Sequence, residues 1–454
     1  MNKEAQIYDF IAVGVGPFNL SLACLASSIE GLDGLFFDQK DGFNWHPGLM
    51  FDDAHLQTPF LSDLVTLADP THPLSFLNFL KRQGRIYAFY IRENFFLLRR
   101  EYNHYCQWAA SQLDSIRWNT RVEEIHYDEG QGCYAVITRD VHDGSCQTFR
   151  ARRLVLGTGP APWWPSCCDR EIRSAAHVHH ASAYLTHRDE LKNLPGVTLV
   201  GGGQSAAEIF VDLLQDIDRH DYTLHWVTRS PRFVPLEYTK LTLEMTSPEY
   251  VRYFHALPTK TRDAVIASQT HLYKGINGSL INEIHELLYQ KRLVLEERGE
   301  DLTRRVRLFT NSELCGATRC AEQLQLGLRH LEQQRDYGLT TTALIVATGY
   351  CYTAPAFLAP IASRIRFDTA GRFVVTKNYA IDRAGREIFV QNSELHTHGF
   401  VTPDLGMACY RNAHIIKALT GVEHYPIEVR IAFQEFGVPP DLETDAQGLR
   451  QVAS

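Results

Sequence analysis

Apolar residues in this chain come in short runs that end at glycine. Phe10-Ile11-Ala12-Val13 leads into Gly14-Val15-Gly16-Pro17-Phe18-Asn19, and Val197-Thr198-Leu199-Val200 leads into Gly201-Gly202-Gly203-Gln204-Ser205-Ala206. Leu154-Val155-Leu156 runs into Gly157-Thr158-Gly159-Pro160, and Ala343-Leu344-Ile345-Val346 runs into Ala347-Thr348-Gly349-Tyr350. A short apolar run without polar alternation, closed by a turn signal, predicts a strand buried on both faces. After the first two glycine turns the pattern becomes helix-forming, so each predicts a strand–turn–helix unit. Tyr134 to Ile137 adds a further strand, and the aromatic-rich stretch Phe76 to Trp108 predicts a long helical region. Between 238 and 295 the rhythm breaks, and Tyr250 to Phe254, Thr261 to Gln269 and Ser279 to Gln290 predict successive short helices.

In that context both glycine turns predict dinucleotide sites, because glycines let the N–H groups of a helix start approach a pyrophosphate. The residue that ends the next strand separates the two. Leu35-Phe36-Phe37 ends at Asp38, a carboxylate suited to ribose hydroxyls, whereas Leu224-His225-Trp226-Val227-Thr228 ends at Arg229, with Arg232 close behind. A cation there suits a 2′-phosphate, which points to FAD at the first site and NADPH at the second. The fold class expected is α/β, with two Rossmann-like dinucleotide-binding domains and a small helical substrate-binding insertion. The glycine turns at 157 and 349 mark the crossings between them. They predict an FAD domain over 1–165 and 346–437, an NADPH domain over 166–345 carrying the insertion at about 238–295, and a disordered polar tail over 438–454.

Composition narrows the class. The net charge of −8 over 454 residues gives no electrostatic case for nucleic acid or an anionic membrane. No apolar run reaches the roughly 18 residues that span a bilayer, and the start of the chain lacks a signal-peptide pattern, so a cytoplasmic protein is expected. None of the ten cysteines forms CxxC, and Cys315 and Cys320 lack the surrounding helix that a redox pair of that spacing requires, so all are read as reduced. In His177-Val178-His179-His180 alternation places His177 and His179 on one face, but no acidic or cysteine partner is spaced nearby, so no metal site is expected.

Taken in order, several motifs resemble one family. These are the first glycine turn, Phe36-Phe37-Asp38, Asn44-Trp45-His46-Pro47-Gly48, Leu56-Gln57-Thr58-Pro59-Phe60-Leu61, Gly201 to Glu208, Ala347 to Tyr350, and His396-Thr397-His398-Gly399. Together they are similar to the microbial N-hydroxylating flavin monooxygenases of siderophore biosynthesis, the lysine, ornithine and diamine N-hydroxylases, over Asp9 to about Leu419. The resemblance implies that NADPH reduces FAD, that the flavin traps O₂ as a C4a-hydroperoxide, and that a neutral primary amine takes the distal oxygen. No side chain is thereby assigned as acid or base. Gly14, Gly16, Pro17 and Asn19 would cradle the FAD pyrophosphate, Asp38 its ribose, and Val122 its adenine through the backbone. Trp45, His46 and Gln57 would lie against the flavin; the alternatives are that Trp45 is core and His46 a turn residue. Gly203, Gln204, Ser205 and Ala206 would hold the NADPH phosphates, Arg229 the adenosine end and Tyr273 the nicotinamide half. Pro403, Asp404 and Leu405 would close over the isoalloxazine. The family also implies a homo-oligomer, a dimer or tetramer.

The chain departs from the amino-acid hydroxylases where they grip the substrate head. Ser62 stands for a lysine, Leu243 and Leu272 for asparagines, and Gly406 for a serine. A buried carboxylate without its cation costs several kcal/mol, so losing the whole set points to a substrate without one. Leu272-Tyr273-Lys274-Gly275-Ile276 resembles the diamine branch, which acts on putrescine and cadaverine. A diamine's distal ammonium needs an acceptor, and Asp404 or Glu244 is placed for it. An amino acid held elsewhere, by Lys240 or Lys274, gives the lysine or ornithine alternative, and a nucleotide-binding relative without turnover is a third reading.

Overall fold

The computed structural model describes residues 6–439 and 441–443. Most of the tail expected over 438–454 therefore lies outside the described residues. The first sheet runs, in order, Ile116–Arg117, Gly34–Phe37, Ile7–Val13, Cys146–Leu156, Cys133–Asp140 and Thr120–Asp128, with Ile388–Val390 also paired to Cys146–Leu156. Its centre is parallel, with Ile11 opposite Leu35 on one side and Leu154 on the other. The apolar runs are continuous because both faces are covered. Phe10, Ala12 and Phe36 enter a core roofed by the helices Pro17–Ala26, Arg99–Ala110 and Ala408–Thr420, while Ile11, Val13, Leu35 and Phe37 enter the core beneath.

The second sheet is wholly parallel: Val178–His180, Ala343–Val346, Gly196–Val200, Thr223–Val227 and Val306–Phe309. Val197, Leu199, Leu224 and Trp226 pack on one face, and a three-stranded antiparallel sheet covers the other through Leu324, Leu326 and Leu328. The two crossings pair with each other as a short antiparallel ribbon, Ala161 opposite Cys351 and Pro162 opposite Tyr350.

Two expectations change. The stretch Phe76 to Trp108 is not one helical region but the helices Phe76–Arg82 and Ile86–Arg92, a strand Phe96–Leu98, and the helix Arg99–Ala110. The breaks fall at Gly84 (φ +69°) and Glu93 (φ +50°), left-handed positions that no helix continues through. The insertion also divides. Lys240–Leu243, Pro248–Ala256 and Thr259–Ser268 stay together, and Tyr250 and Phe254 pack with Phe400 and Met407 of the C-terminal segment. Gly278–Glu297, longer than expected, instead packs its Ile284 and Leu295 into the core of the second sheet beside Gln204–Gln215. Among the described residues no helix is long and apolar enough to cross a membrane.

Candidate active site

One cavity of about 1770 Å³ runs from the first glycine turn, past the second, to the C-terminal segment. It lies off the carboxyl ends of the parallel strands, where open α/β sheets bind their ligands. At the first turn Gly14 has φ +85°, and a Cβ there would stand 2.5 Å from the carbonyl oxygen of Gly157. Gly16 begins the helix Pro17–Ala26 with no side chain capping it, and a Cβ added at Gly16 would meet no protein atom within 4 Å. The first-turn N–H groups, with Pro17 lacking one, thus open into the cavity. Asp38 is fixed by its two oxygens, accepting from the N–H of Val15 (2.7 Å) and of Lys40 (3.0 Å). Val122 lines the cavity at a bulge in its strand.

Asn19 lines the cavity while its side chain braces the turn: its amide donates to the carbonyl of Gly14 (2.7 Å), and its Oδ1 accepts from Gln391 Nε2 (2.7 Å). Trp45 satisfies both readings, lining the cavity while packing edge-on to Tyr102 at 5.4 Å. His46 stands in the left-handed region (φ +48°) with its ring open to the cavity. Enclosure by protein, then the charges of Arg99 and Lys40, lower its pKa to about 4, so the ring is neutral at pH 7. Gln57 lines the cavity with a buried Nε2 that has no hydrogen-bond partner.

At the second turn Gly203 opens the helix Gln204–Gln215, again with no side-chain cap. Ser205 and Gln204 line the cavity, whereas Gly203 and Ala206 do not. Ala206 is fully buried in the core of the second sheet. The Gln204 amide is committed within the protein, its Oε1 accepting from the N–H of Asn277 (2.8 Å) and its Nε2 donating to Glu208 (2.8 Å), so only its backbone is free for phosphate. Glu208 in turn takes both guanidinium nitrogens of Arg99 at 2.6 and 2.7 Å, a forked ion pair between the two sheet units. Tyr273 lines the cavity, with Lys274 Nζ 5.4 Å from its ring centre. Arg229 lies outside the cavity lining, its side chain 72% exposed and its nearest acid Glu313 at 4.0 Å.

The substrate end gathers residues from four distant segments. Pro403, Asp404, Leu405, Gly406, Ser62, Leu243 and Leu272 all line it. A Cβ on Gly406 would stand 3.1 Å from Asp404 Oδ1 and 3.2 Å from Ser62 Oγ, so these three form one corner. Burial raises the Asp404 pKa, partly countered by the N–H of Gly406 and by Arg411, and burial with Asp404 pushes Tyr238 up to about 12. Glu244 is a correction: it does not line the cavity. Its carboxylate accepts from the N–H groups of Phe433 and Gln434, both at 3.1 Å, and burial is outweighed by these bonds and that of the Gln434 side chain, which hold its pKa low.

Sequence reasoning missed the Gln391–Asn392 loop, the Arg99–Glu208 pair, and the residues Tyr238, Glu428 and Ile431. The first had a signal, an apolar strand Ile388–Val390 ending in polar residues; the others had none. The histidine run also differs from expectation, because the helix Tyr184–Leu191 brings Glu190 to 3.1 Å from His177 Nδ1. Among the described residues no three or more candidate ligands converge there, and His179 instead stacks on His187 at 3.7 Å.

Comparison with known proteins agrees with this geometry. The model of the L-lysine 6-monooxygenase/L-ornithine 5-monooxygenase family matches residues 6–352. A putrescine N-hydroxylase of Shewanella oneidensis is 50% identical over 95% of this chain and 85% of its own length. The FAD-bound crystal structure of DfoA, a cadaverine monooxygenase of Erwinia amylovora, superposes with a TM-score of 0.91 at 55% identity, covering 96% of this chain and 99% of that one. The ornithine N-hydroxylase KtzI of Kutzneria, with reduced FAD, NADP⁺ and L-ornithine, gives 0.83 at 27% identity over 91% and 99%. On the family match and the length of these likenesses, the chain belongs to the L-lysine 6-monooxygenase/L-ornithine 5-monooxygenase family.

Proposed function

We propose that this protein uses FAD, NADPH and O₂ to hydroxylate one primary amine of an aliphatic diamine, cadaverine or putrescine, giving an N-hydroxydiamine for hydroxamate siderophore assembly. The balance is amine, O₂, NADPH and a proton in; hydroxylamine, water and NADP⁺ out. The observation that carries the reading is the corner of Ser62, Asp404 and Gly406 with Leu243 and Leu272 beside it, which offers a carboxylate where an amino-acid enzyme needs a cation. The diamine-acting relatives support it.

The residues fit the two nucleotides. FAD suits the unit 1–165 and 346–437, where Gly16 leaves an open cradle, an uncapped helix start faces the cavity, and Gln57 Nε2 is buried without a partner. NADPH suits the unit 166–345, where a second uncapped helix start adjoins the exposed Arg229. Bound together they supply the reducing equivalents and the activation of O₂. Around them the chain's own residues exclude water and place the amine. Leu243, Leu272 and Phe400 give the cavity apolar walls, and Asp404 holds the distal ammonium, so the chain folds its reach toward the flavin. The reacting amine must lose its proton from an unperturbed pKa near 10.4, so the oxygen-transfer step should speed up from neutral to mildly alkaline pH.

The lysine or ornithine reading keeps one specific support, Lys240 in the cavity wall. A panel of cadaverine, putrescine, lysine and ornithine, scored for NADPH-dependent oxygen uptake and hydroxylamine product, separates the two. Preference for an amino acid overturns the diamine reading. Ser62→Lys sharpens it by placing a cation beside Asp404, and should impair diamine turnover without creating lysine activity. A cytoplasmic, dimeric or tetrameric enzyme completes the proposal. The exposed Tyr87, Tyr90 and Ile91 on one helix support self-association, and sedimentation tests it.

A further inference from the structure

Three carboxylates line the substrate end of the cavity, and their hydrogen bonding separates them. Glu237 is engaged on both oxygens, by the Thr242 hydroxyl at 2.6 Å and by His271 Nε2 at 3.3 Å. Asp404 accepts the N–H of Gly406 on Oδ1 at 2.7 Å, and its Oδ2 makes no hydrogen bond among the described residues. Glu428 lines the same cavity and, among the described residues, makes no hydrogen bond or ion pair.

The position of Glu428 is set from both sides. It belongs to a segment with no helix or strand that follows the last helix, Ala408–Thr420. Before it, the buried Tyr425 donates its hydroxyl to the carbonyl of Leu25 at 2.7 Å, and Ile427 packs against the first core. After it, four consecutive N–H groups are taken by two carboxylates of the helical insertion. Ile431 and Ala432 donate to Glu249 at 2.5 and 2.9 Å, and Phe433 and Gln434 donate to Glu244 at 3.1 Å each. Phe436 then meets the Tyr250 ring edge-on at 5.2 Å. Ordering an irregular segment costs conformational entropy, and four charge-assisted bonds from distant helices offset it. Of the charged side chains between these anchors, Arg430 is paired with Glu435 at 2.5 Å, which leaves Glu428, an exposed residue of the cavity lining, as the unpaired one among the described residues.

We infer that Glu428 is a specificity-determining residue: together with Asp404 it receives the distal ammonium of the diamine, and the segment that carries it is a cavity wall clasped by Glu244 and Glu249. The inference rests on the diamine reading above. It also supplies a repulsive element, since the α-carboxylate of lysine or ornithine would face two carboxylates there.

The test compares amines of equal length with and without the distal charge: cadaverine against n-pentylamine and putrescine against n-butylamine, on the FAD-loaded enzyme. Glu428→Gln should raise KM for each diamine about tenfold more than for its monoamine, with kcat and the KM for NADPH little moved. Glu249→Ala, which removes the acceptor of the Ile431 and Ala432 N–H groups while leaving the Glu428 charge in place, should raise KM for diamine and monoamine together. If Glu428→Gln shifts diamine and monoamine alike, or neither, the assignment of Glu428 is overturned while diamine activity of the wild type stands. If the wild type hydroxylates lysine or ornithine and not the diamines, the underlying reading falls, and the assignment falls with it.

Discussion

The two glycine turns are built to the same plan, and the second carries a tie that the first lacks. The first is braced by its own unit: Asn19 ties Gly14, Gln391 ties Asn19, and the Gly14 Cα hydrogens press on Gly157. The second is held by its own unit too, where Trp226 Nε1 donates to the carbonyl of Gly201 at 2.7 Å, and is tied in addition to the other unit, through Gln204 to Glu208 and from Glu208 to Arg99. At the residues that end the next strands there is a further contrast. Asp38 is held by two backbone N–H groups, whereas Arg229 stands in solvent. A carboxylate fixed by backbone N–H groups suits a nucleotide that stays; an exposed cation suits one that arrives and leaves. The Arg99–Glu208 ion pair thus ties the second turn to the first unit, beside the apolar contacts of Leu49, Phe51 and Ala54 with the core of the second sheet.

The largest expected effect tests the first turn. Gly14→Ala puts a Cβ 2.5 Å from the Gly157 oxygen at φ +85°, so the turn must open and the purified protein should lose its yellow flavin. Retention of stoichiometric FAD would show that the turn tolerates what its geometry forbids. Next is the tie between the units. Arg99 and Glu208 have side chains only 14% and 9% exposed, so Arg99→Ala leaves a largely buried carboxylate without its cation, with the Gln204 amide as its remaining partner. It should destabilise by about 3 kcal/mol and depress NADPH-driven flavin reduction more than FAD retention, as read by thermal melts and stopped-flow absorbance. Arg229→Ala should come third, raising the KM for NADPH about tenfold with little change for NADH. Equal losses with both coenzymes would assign Arg229 to the adenine or to the fold.

The smallest effect separates the strands that precede Asp38 and Arg229. Gly34–Phe37 is apolar throughout, whereas Thr223–Val227 carries His225, whose pKa burial and then Arg307 lower to about 4. A histidine held neutral in the fold but titrating near 6.5 when unfolded gives stability that is full above pH 6.5 and is lost as the pH falls toward 4. Between pH 7 and 5.5 that loss is about 1 kcal/mol, and His225→Phe should flatten the fall in Tm over the same window. An unchanged slope would move the acid sensitivity elsewhere.

Much of this was written in the sequence, for reasons the structure makes plain. Inner strands of a parallel sheet bury both faces, so Phe10 to Val13 and Leu344 to Val346 read as unbroken apolar runs. Glycine turns announce themselves because few other residues accept φ near +85°. Side-chain direction is a different matter. Asn19 and Gln204 mark their loops correctly, yet both turn their amides inward, which spacing along the chain cannot disclose. The aromatic stretch from Phe76 reads as helix throughout because aromatics serve exposed and buried positions alike; Tyr87 and Tyr90 are exposed while Tyr102 and Tyr105 are buried. Glu244 was legible as a carboxylate near the substrate but not as a clasp, since its partners are backbone N–H groups at 433 and 434 that no side-chain pattern records.

The short ribbon at Ala161–Pro162 and Tyr350–Cys351 has an evolutionary reading as well as a structural one. The chain enters and leaves the second sheet unit side by side, so that unit forms a cassette whose two seams lie together. Chains whose ends meet in space can be inserted or exchanged without stretching their host. Replacing the segment between the seams with that of a relative would alter coenzyme preference and the insertion's substrate wall in a single recombination, while leaving the first glycine turn untouched.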